Sequence, residues 1–542
     1  MGPMEAATES QRGGDRARGR DESARQPPRL SDAALLACVL AIVAAGLGAW
    51  MRVVHGNTPL IRDELAYLWQ AEVLSTGRLS TPAPAHPEFV DIPPIAIHEG
   101  RRFARYPIGY PLLLAPWVKG GVPWALNIAL AVASLGLLHR FAGRVDGHGV
   151  AWIGVGITAL SPFFIIQSTV YLSHALTLFL SLVLLVALWE REARGASPRW
   201  AAVAGAAVGY ALNVSPFVAA ALVLVVGDRW LLRRSAPRVS RREWTLFSAL
   251  VACGAILFAS ANAATTGSPW TPAYLLDPYV RAGFGPSVGL GGYEPSDAIR
   301  NTIDRVASLH RSLFEWPGSS LLFAAPYAVA ACVRWLARES GGIAACRDRW
   351  DRSLAVLFVG VLAIYAFWYH PGTAEGTGPR FLYPAIPAVV LFTARGMVAA
   401  ARFLTSLLAR WRPRSPSAPA GRIVVAGLVV ALFAFGTVRY LAALPNGEKP
   451  RERRAVRALL HELATRGVTA GTVFVRSRSE AHGPALLYAS RFDENAPLLF
   501  AWDLRAMKNG WLLRRRPPGP VWFATFEEGS NTWTLEPAER PD

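Results

Sequence analysis

Apolar residues along this chain gather into blocks of about twenty, the length of helix that crosses a bilayer core. Short arginine-rich stretches or longer mixed segments separate the blocks. The pattern predicts spans at 33–54, 121–141, 149–169, 174–190, 244–264, 317–337, 353–370, 381–401 and 422–444. Residues 201–228 are equally apolar, yet basic loops flank them on both sides. A single crossing would put one of those loops outside, whereas short Arg-rich loops stay cytoplasmic. The centre reads Leu212-Asn213-Val214-Ser215-Pro216, and proline disfavours helix in the residue before it. Two short helices, 201–213 and 216–228, forming a hairpin with its tip at the outer face, resolve the conflict; the alternative is one long Pro-kinked span. The fold class predicted is an all-α polytopic membrane bundle of about 11 membrane helices, hairpin included.

Arginine placement then sets the orientation. Arg140 and Arg144, then Arg191, Arg194 and Arg199, the cluster Arg229 to Arg242, Arg334 to Arg352 and Arg402 to Arg414 all read as inside. The first 32 residues are rich in Arg, Gly, Asp and Glu without an apolar face, and read as a disordered cytoplasmic tail. The first apolar run has no clear cleavage site after it and reads as an uncleaved signal anchor. Residues 33–444 form the transmembrane unit, with outward segments at 55–120 and 265–316. Residues 445–542 change character: a basic helical stretch from Arg451 to Arg466, then strand-like runs at Thr472–Val475 and Val521–Phe523. This predicts a small α/β extracytoplasmic domain, whose arginines do not upset the topology because long domains translocate largely regardless of charge. The protein is thus expected to be multi-pass in the inner (plasma) membrane, with its N-terminus cytoplasmic.

Composition narrows the picture. The chain is 52% hydrophobic and 17% charged, against about 25% charged in soluble domains. A net charge of +18 could suggest nucleic acid, but the arginines sit between apolar blocks rather than in a stripe, so the expected partner is the lipid bilayer and not nucleic acid. The four cysteines, Cys38, Cys253, Cys332 and Cys346, lie outside the outward segments, so no structural disulfide is expected, and no spacing suggests zinc.

The first outward segment carries the candidate chemistry. Asp63-Glu64 opens a helical run ending near Gly77, with Leu65, Leu68, Trp69 and Glu72 at helical spacing, as in a helix lying on the membrane surface. Asp63 fits a helix N-cap, and a capping carboxylate can also be catalytic. A hairpin follows: Phe89–Ile97 extended, His98-Glu99-Gly100-Arg101 turning, and Arg102–Arg105 returning into Tyr106-Pro107-Ile108-Gly109-Tyr110-Pro111. Arg105 therefore sits at headgroup depth, where a guanidinium suits bidentate phosphate binding or snorkels to lipid.

The combination Arg62-Asp63-Glu64-x-x-Tyr67 and Arg105-Tyr106-Pro107-x-Gly109-Tyr110-Pro111-Leu112-Leu113 resembles the first outer loop of the GT-C superfamily of glycosyltransferases. The nearer likeness is to bacterial protein-mannosyltransferase-like and lipopolysaccharide aminoarabinose-transferase-like enzymes. Leu172-Ser173-His174, Thr266-Gly267-Ser268-Pro269 and Gly378-Pro379-Arg380-Phe381-Leu382-Tyr383-Pro384 follow in matching order, and the likeness covers roughly residues 33 to 400. The resemblance implies a membrane enzyme that takes sugar from a polyprenyl-phosphate donor outside the cytoplasm, inverting at the anomeric carbon, with a hydroxyl of a glycan, lipid or protein as acceptor. It places catalysis on Asp63, with Glu64 as its rival, and donor phosphate on Arg105. Tyr106, Tyr67, His98, Glu99, His174 and Arg380 become candidate substrate contacts. Relatives often carry an acid where this chain has Ala104, and a base where it has Ser215. No metal-ligand constellation stands out, although the resemblance leaves room for a divalent cation. Rival readings are an envelope-glycan polymerase or ligase, a transporter or flippase, and a scaffold. Transporters place charges near the midplane, often in repeated halves, whereas here the distinctive charges lie in long outer loops and no halves repeat.

Overall fold

In the computed structural model the apolar blocks are helices; the residues described are 31–195, 197–232, 238–277, 279–336, 342–373, 378–411, 420–443, 447–477, 483–527 and 529–539. Among the described residues six helices are long and apolar enough to cross a membrane: Asp32–His55, Ala125–Val145, His174–Ala193, Arg241–Thr266, Arg380–Arg410 and Gly421–Ala443. A seventh candidate is the pair His148–Ala159 and Pro162–Ser168, bent by 67°. The bend falls at Ser161-Pro162, where proline removes a backbone donor and Ser161 caps the second helix. Large apolar side chains point outward from these helices; Ile42, Ile256 and Val430 are 71%, 65% and 68% exposed. That is the arrangement lipid rewards and water does not. Some boundaries differ from expectation. The block at 317–337 is helical only over Ala324–Leu336, and the one at 353–370 belongs to a helix Gly342–Tyr365. Helices Gly109–Lys119 and Pro295–Ser312 were not predicted.

Residues 198–230 form the expected hairpin. Helices Pro198–Leu212 and Pro216–Trp230 meet at Asn213–Ser215. Both arms reach one level of helix Arg241–Thr266: Gly205, midway along the first arm, lies against the Phe247 backbone, and the ring of Trp230, at the end of the second, is 5.0 Å from that of Phe247. The first arm and helix Arg241–Thr266 touch backbone to backbone. A Cβ on Gly209 would lie 2.5 Å from the Leu250 carbonyl, and one on Gly254 would lie 2.2 Å from that of Gly209. Small residues permit such approach between membrane helices. The tip meets helix Arg241–Thr266 partway along its length. Asn213 donates to the Gly254 carbonyl, about 20 Å along the helix from Arg241 and near its middle. The loop arginines at the opposite end form buried ion pairs, among them Arg191–Glu243 at 2.7 Å and Arg395–Asp146 at 2.7 Å.

Two sheets stand beyond the bundle. In the first, β1 (Thr81–Pro82), β2 (Ile95–His98) and β3 (Arg101–Ala104) pair antiparallel in the order β1-β3-β2. Glu99 and Gly100 turn the β2–β3 hairpin with φ of 49° and 72°, the left-handed pair a two-residue turn requires. Extended structure was expected from Phe89; instead Pro87–Val90 is a helical turn. In the second, β4 (Gly471–Arg476), β5 (Leu498–Trp502), β6 (Val521–Glu527) and β7 (Thr532–Ala538) run in the order β5-β4-β6-β7, with β4 parallel to both neighbours. The central strand is an unbroken apolar run, Val473-Phe474-Val475, because both its faces are covered.

Helix Arg62–Ser75 does not lie open on a membrane surface. Every residue from Glu64 to Ala71 is buried, between helix Gly109–Lys119 on one side and the C-terminal domain on the other. Tyr488 donates to Glu72 at 2.8 Å, Arg491 pairs with Glu72 at 3.0 Å, and Arg453 with Glu64 at 3.3 Å.

Candidate active site

Asp63 sits in the first turn of helix Arg62–Ser75, but the N-cap is Ile61, so capping is not what holds the Asp63 carboxylate. Its Oδ1 accepts from the Tyr106 hydroxyl at 2.6 Å, and its Oδ2 lies 3.3 Å from the Arg380 guanidinium. The side chain remains 24% exposed. Tyr106 is partly buried, and desolvation, with the Asp63 carboxylate next to it, drives its phenol well above the usual range. It stays protonated and donates.

Glu64 performs the cap. Its Oε2 accepts from the Leu60 and Ile61 amides, both at 2.9 Å, and its Oε1 accepts from the Tyr171 amide at 2.9 Å. Arg453, reaching over from helix Glu448–Thr465, pairs with Oε2 and also holds His55 and the Thr58 carbonyl. Glu64 is 1% exposed with both oxygens engaged, so it points away from the space beside Asp63.

The return strand delivers Arg105 next to Tyr106. Its Nη1 donates to Asp277 of the second outer segment at 2.6 Å, with both side chains about a fifth to a quarter exposed (21% and 25%). A narrow cleft of about 30 Å³ runs from here along helix Arg241–Thr266, lined by Arg105, Tyr106, Phe258, Asn262 and Tyr274.

Aromatic side chains pack around Asp63. The Tyr67 ring lies 4.6 Å from Tyr106 and 5.0 Å from Tyr110, and its hydroxyl meets Ser173 at 3.2 Å. Burial raises the Tyr67 phenol, and Asp63 adds to the shift. His174 stands 6.2 Å from the Phe381 ring, next to Arg380 in sequence. His370 also comes to this cluster, its ring 6.2 Å from that of Phe381. Its Nδ1 accepts from the Gly372 amide at 3.0 Å, so the other ring nitrogen carries the proton of the neutral form. Burial, reinforced by Arg380, lowers its pKa and keeps it neutral. Arg305 organises that loop, donating to the carbonyls of Tyr365, Trp368, His370 and Pro371. The hairpin tip closes the floor: Ser215 bonds the Tyr365 hydroxyl at 3.1 Å, and the Gly109 amide donates to the Asn213 carbonyl at 2.6 Å.

His98 and Glu99 are not part of the cluster. They occupy the hairpin turn, with Glu99 67% exposed, about 13 Å along the strand from Arg105. Among the described residues no three His, Cys, Asp or Glu side chains converge as a metal would need. The sequence offered no signal for His370, Asp277 or Arg453, since each reaches the site through a distant segment.

The architecture is a helical bundle whose first outer loop and C-terminal domain enclose one cluster of carboxylate, arginine and tyrosine. ArnT from Cupriavidus metallidurans bound to undecaprenyl phosphate superposes with a TM-score of 0.51 at 12% identity, over 91% of this chain and 93% of ArnT. The same protein in the apo state gives 0.49 at 14% identity, over 92% and 94%. The apo oligosaccharyltransferase of Archaeoglobus fulgidus gives 0.45 at 12% identity over 74% of this chain, which spans only 55% of the archaeal protein. No family model matches the sequence, and no curated protein matches it. At 12% identity the likeness to the undecaprenyl-phosphate-bound ArnT shows the fold alone.

Proposed function

We propose that the protein is a glycosyltransferase that moves a sugar from a polyprenyl-phosphate carrier to an acceptor hydroxyl on the extracytoplasmic side of the inner membrane. One observation carries the reading: an accessible carboxylate, Asp63, and an arginine, Arg105, flank Tyr106 at the mouth of a cleft along a membrane helix. The Arg105 guanidinium suits the phosphate of such a carrier. The ArnT structure of the same fold contains undecaprenyl phosphate, which agrees with that assignment.

Asp63 takes the proton of the acceptor hydroxyl as its oxygen attacks the anomeric carbon. The bond from that carbon to the phosphate oxygen breaks, and the polyprenyl phosphate leaves with the electron pair. Arg105, released from Asp277, receives the charge that develops there. Attack opposite the leaving phosphate inverts the anomeric centre. Tyr106 and Arg380 aim the Asp63 carboxylate, while Glu64 and Arg453 fix the helix end that carries it.

The test uses purified protein in nanodiscs and a panel of undecaprenyl-phosphate sugars labelled in the sugar. Wild type should release undecaprenyl phosphate from at least one of them, and Arg105→Ala should raise the donor KM. If no carrier-linked sugar binds or turns over, the reading is wrong.

A further inference from the structure

A cavity of about 1070 Å³ separates the first outer segment from the sheet of the C-terminal domain. One wall is built from the carboxyl ends of three parallel strands: Arg476 ends β4, Trp502 and Asp503 end β5, and Glu527 ends β6. The facing wall includes Asp91 and Arg105. The chain leaves β4 to form β5 on one side, then crosses to form β6 on the other. The crevice at those strand ends is therefore a topological switch point, the place where open α/β sheets bind ligands. Through Arg105 it adjoins Tyr106, which holds Asp63. The cavity is at the upper end of the range of roughly 300–1,000 Å³ for small-molecule sites, room for several sugar rings.

Its chemistry is selective. Glu88, Asp91, Asp503 and Glu527 line it against two arginines, and each arginine is already engaged, Arg476 by Asp503 and Arg105 by Asp277. Among the described residues the lining carries four carboxylates to two arginines, with Asp503 paired to Arg476 and Asp91 to Arg102. The Trp502 indole is fixed by its donation to the Asp91 carbonyl at 3.1 Å. Carboxylates accept from vicinal hydroxyls, and an indole covers the C–H face of a sugar ring. A phosphorylated or uronic acceptor would meet like charge. An extended peptide would pair along a strand edge, but the edges of this sheet are β5 and β7, and the crevice lies across strand ends.

We propose that this crevice is the acceptor site and that it takes an uncharged oligosaccharide, presenting a hydroxyl to Asp63. The assignment of the site as an acceptor site rests on the transferase reading above; the binding itself does not. Full-length protein in nanodiscs is examined by saturation-transfer NMR with mannotriose, arabinotriose and trigalacturonate. A neutral trisaccharide should bind wild type and Asp63→Asn alike, and trigalacturonate should bind neither. Trp502→Ala, and separately the Glu88→Gln/Glu527→Gln pair on exposed positions, should weaken that binding about tenfold, the effect of roughly one lost contact of 1.4 kcal/mol. The proposal is overturned if no neutral trisaccharide binds wild type, if trigalacturonate or a peptide binds better, or if the exposed double variant binds unchanged. Saccharide binding without turnover of any carrier-linked donor would sink the transferase reading and leave the binding site standing. Transfer whose acceptor KM is unaltered in both variants would sink the site and leave the transferase reading standing.

Discussion

Asp63 and Glu64 are neighbours in sequence with opposite environments, because successive residues on a helix point about 100° apart. The sequence offered both as carboxylates at a helix start, and nothing local separates them. Burial does: Asp63 is 24% exposed beside Tyr106 and Arg380, Glu64 1% exposed beneath Arg453. Asp63→Asn should therefore melt normally yet turn over about 10²–10⁴-fold more slowly, the usual contribution of a positioned base. Glu64→Gln leaves Arg453 buried without its anion, which costs about 3–5 kcal/mol. Its melting temperature should fall by several degrees, with a smaller loss of turnover in whatever remains folded. Thermal melts and single-turnover assays on both variants decide the matter; a stable, inactive Glu64→Gln would exchange the two roles. In the C-terminal domain, burial opposes the charged form of Asp503, but hydrogen bonds from Arg476, Asn509 and the Arg505 amide hold its carboxyl below the usual range. A depressed carboxyl stabilises the fold above its unfolded pKa of about 3.9 and loses that contribution as pH falls through the folded value. The difference in melting temperature between wild type and Asp503→Asn should hold at neutral pH and shrink below about pH 4.

At the scale of elements, the hairpin shows what loop charge and proline can and cannot disclose. Basic loops on both sides of 201–228, with Pro216 at the centre, were enough to predict two arms and a turn. The height of the tip was not legible, because it depends on how closely the first arm approaches helix Arg241–Thr266. Gly209 and Gly254 set that distance, and Gly109 accepts the tip: a Cβ there would lie 2.5 Å from the Asn213 carbonyl. Gly209→Leu should thus force the helices apart and shift Asn213 away from Gly109, on the segment that carries Arg105 and Tyr106. Turnover should fall while Asp63 and Arg105 are still present, and the melting temperature should fall with it. Gly227→Leu, at a position with no neighbour within 4 Å of a Cβ, is the control and should leave both unchanged. Equal behaviour of the two variants would mean that tip placement does not matter.

On the scale of the whole molecule, arginine-rich loops predict which end of the bundle faces the cytoplasm, and labelling tests it. In a background lacking Cys38, Cys253, Cys332 and Cys346, Ser530→Cys should react with an impermeant thiol reagent on intact cells or spheroplasts. Ser197→Cys should react only after permeabilisation. The reverse pattern would invert the topology and move Asp63 to the cytoplasmic side. The sequence by itself determined the membrane bundle, most of its helices, the central strands of the C-terminal domain and the likeness of the first outer loop. Those follow from local quantities: block length, the period of apolar positions, and the identity of residues close along the chain. Tertiary structure alone decided that Arg380 meets Asp63, that Arg453 holds Glu64, and that helix Arg62–Ser75 is covered rather than open. Each of those contacts joins segments hundreds of residues apart, or elements from opposite ends of the chain, and no local pattern records which distant side chain will satisfy a buried charge.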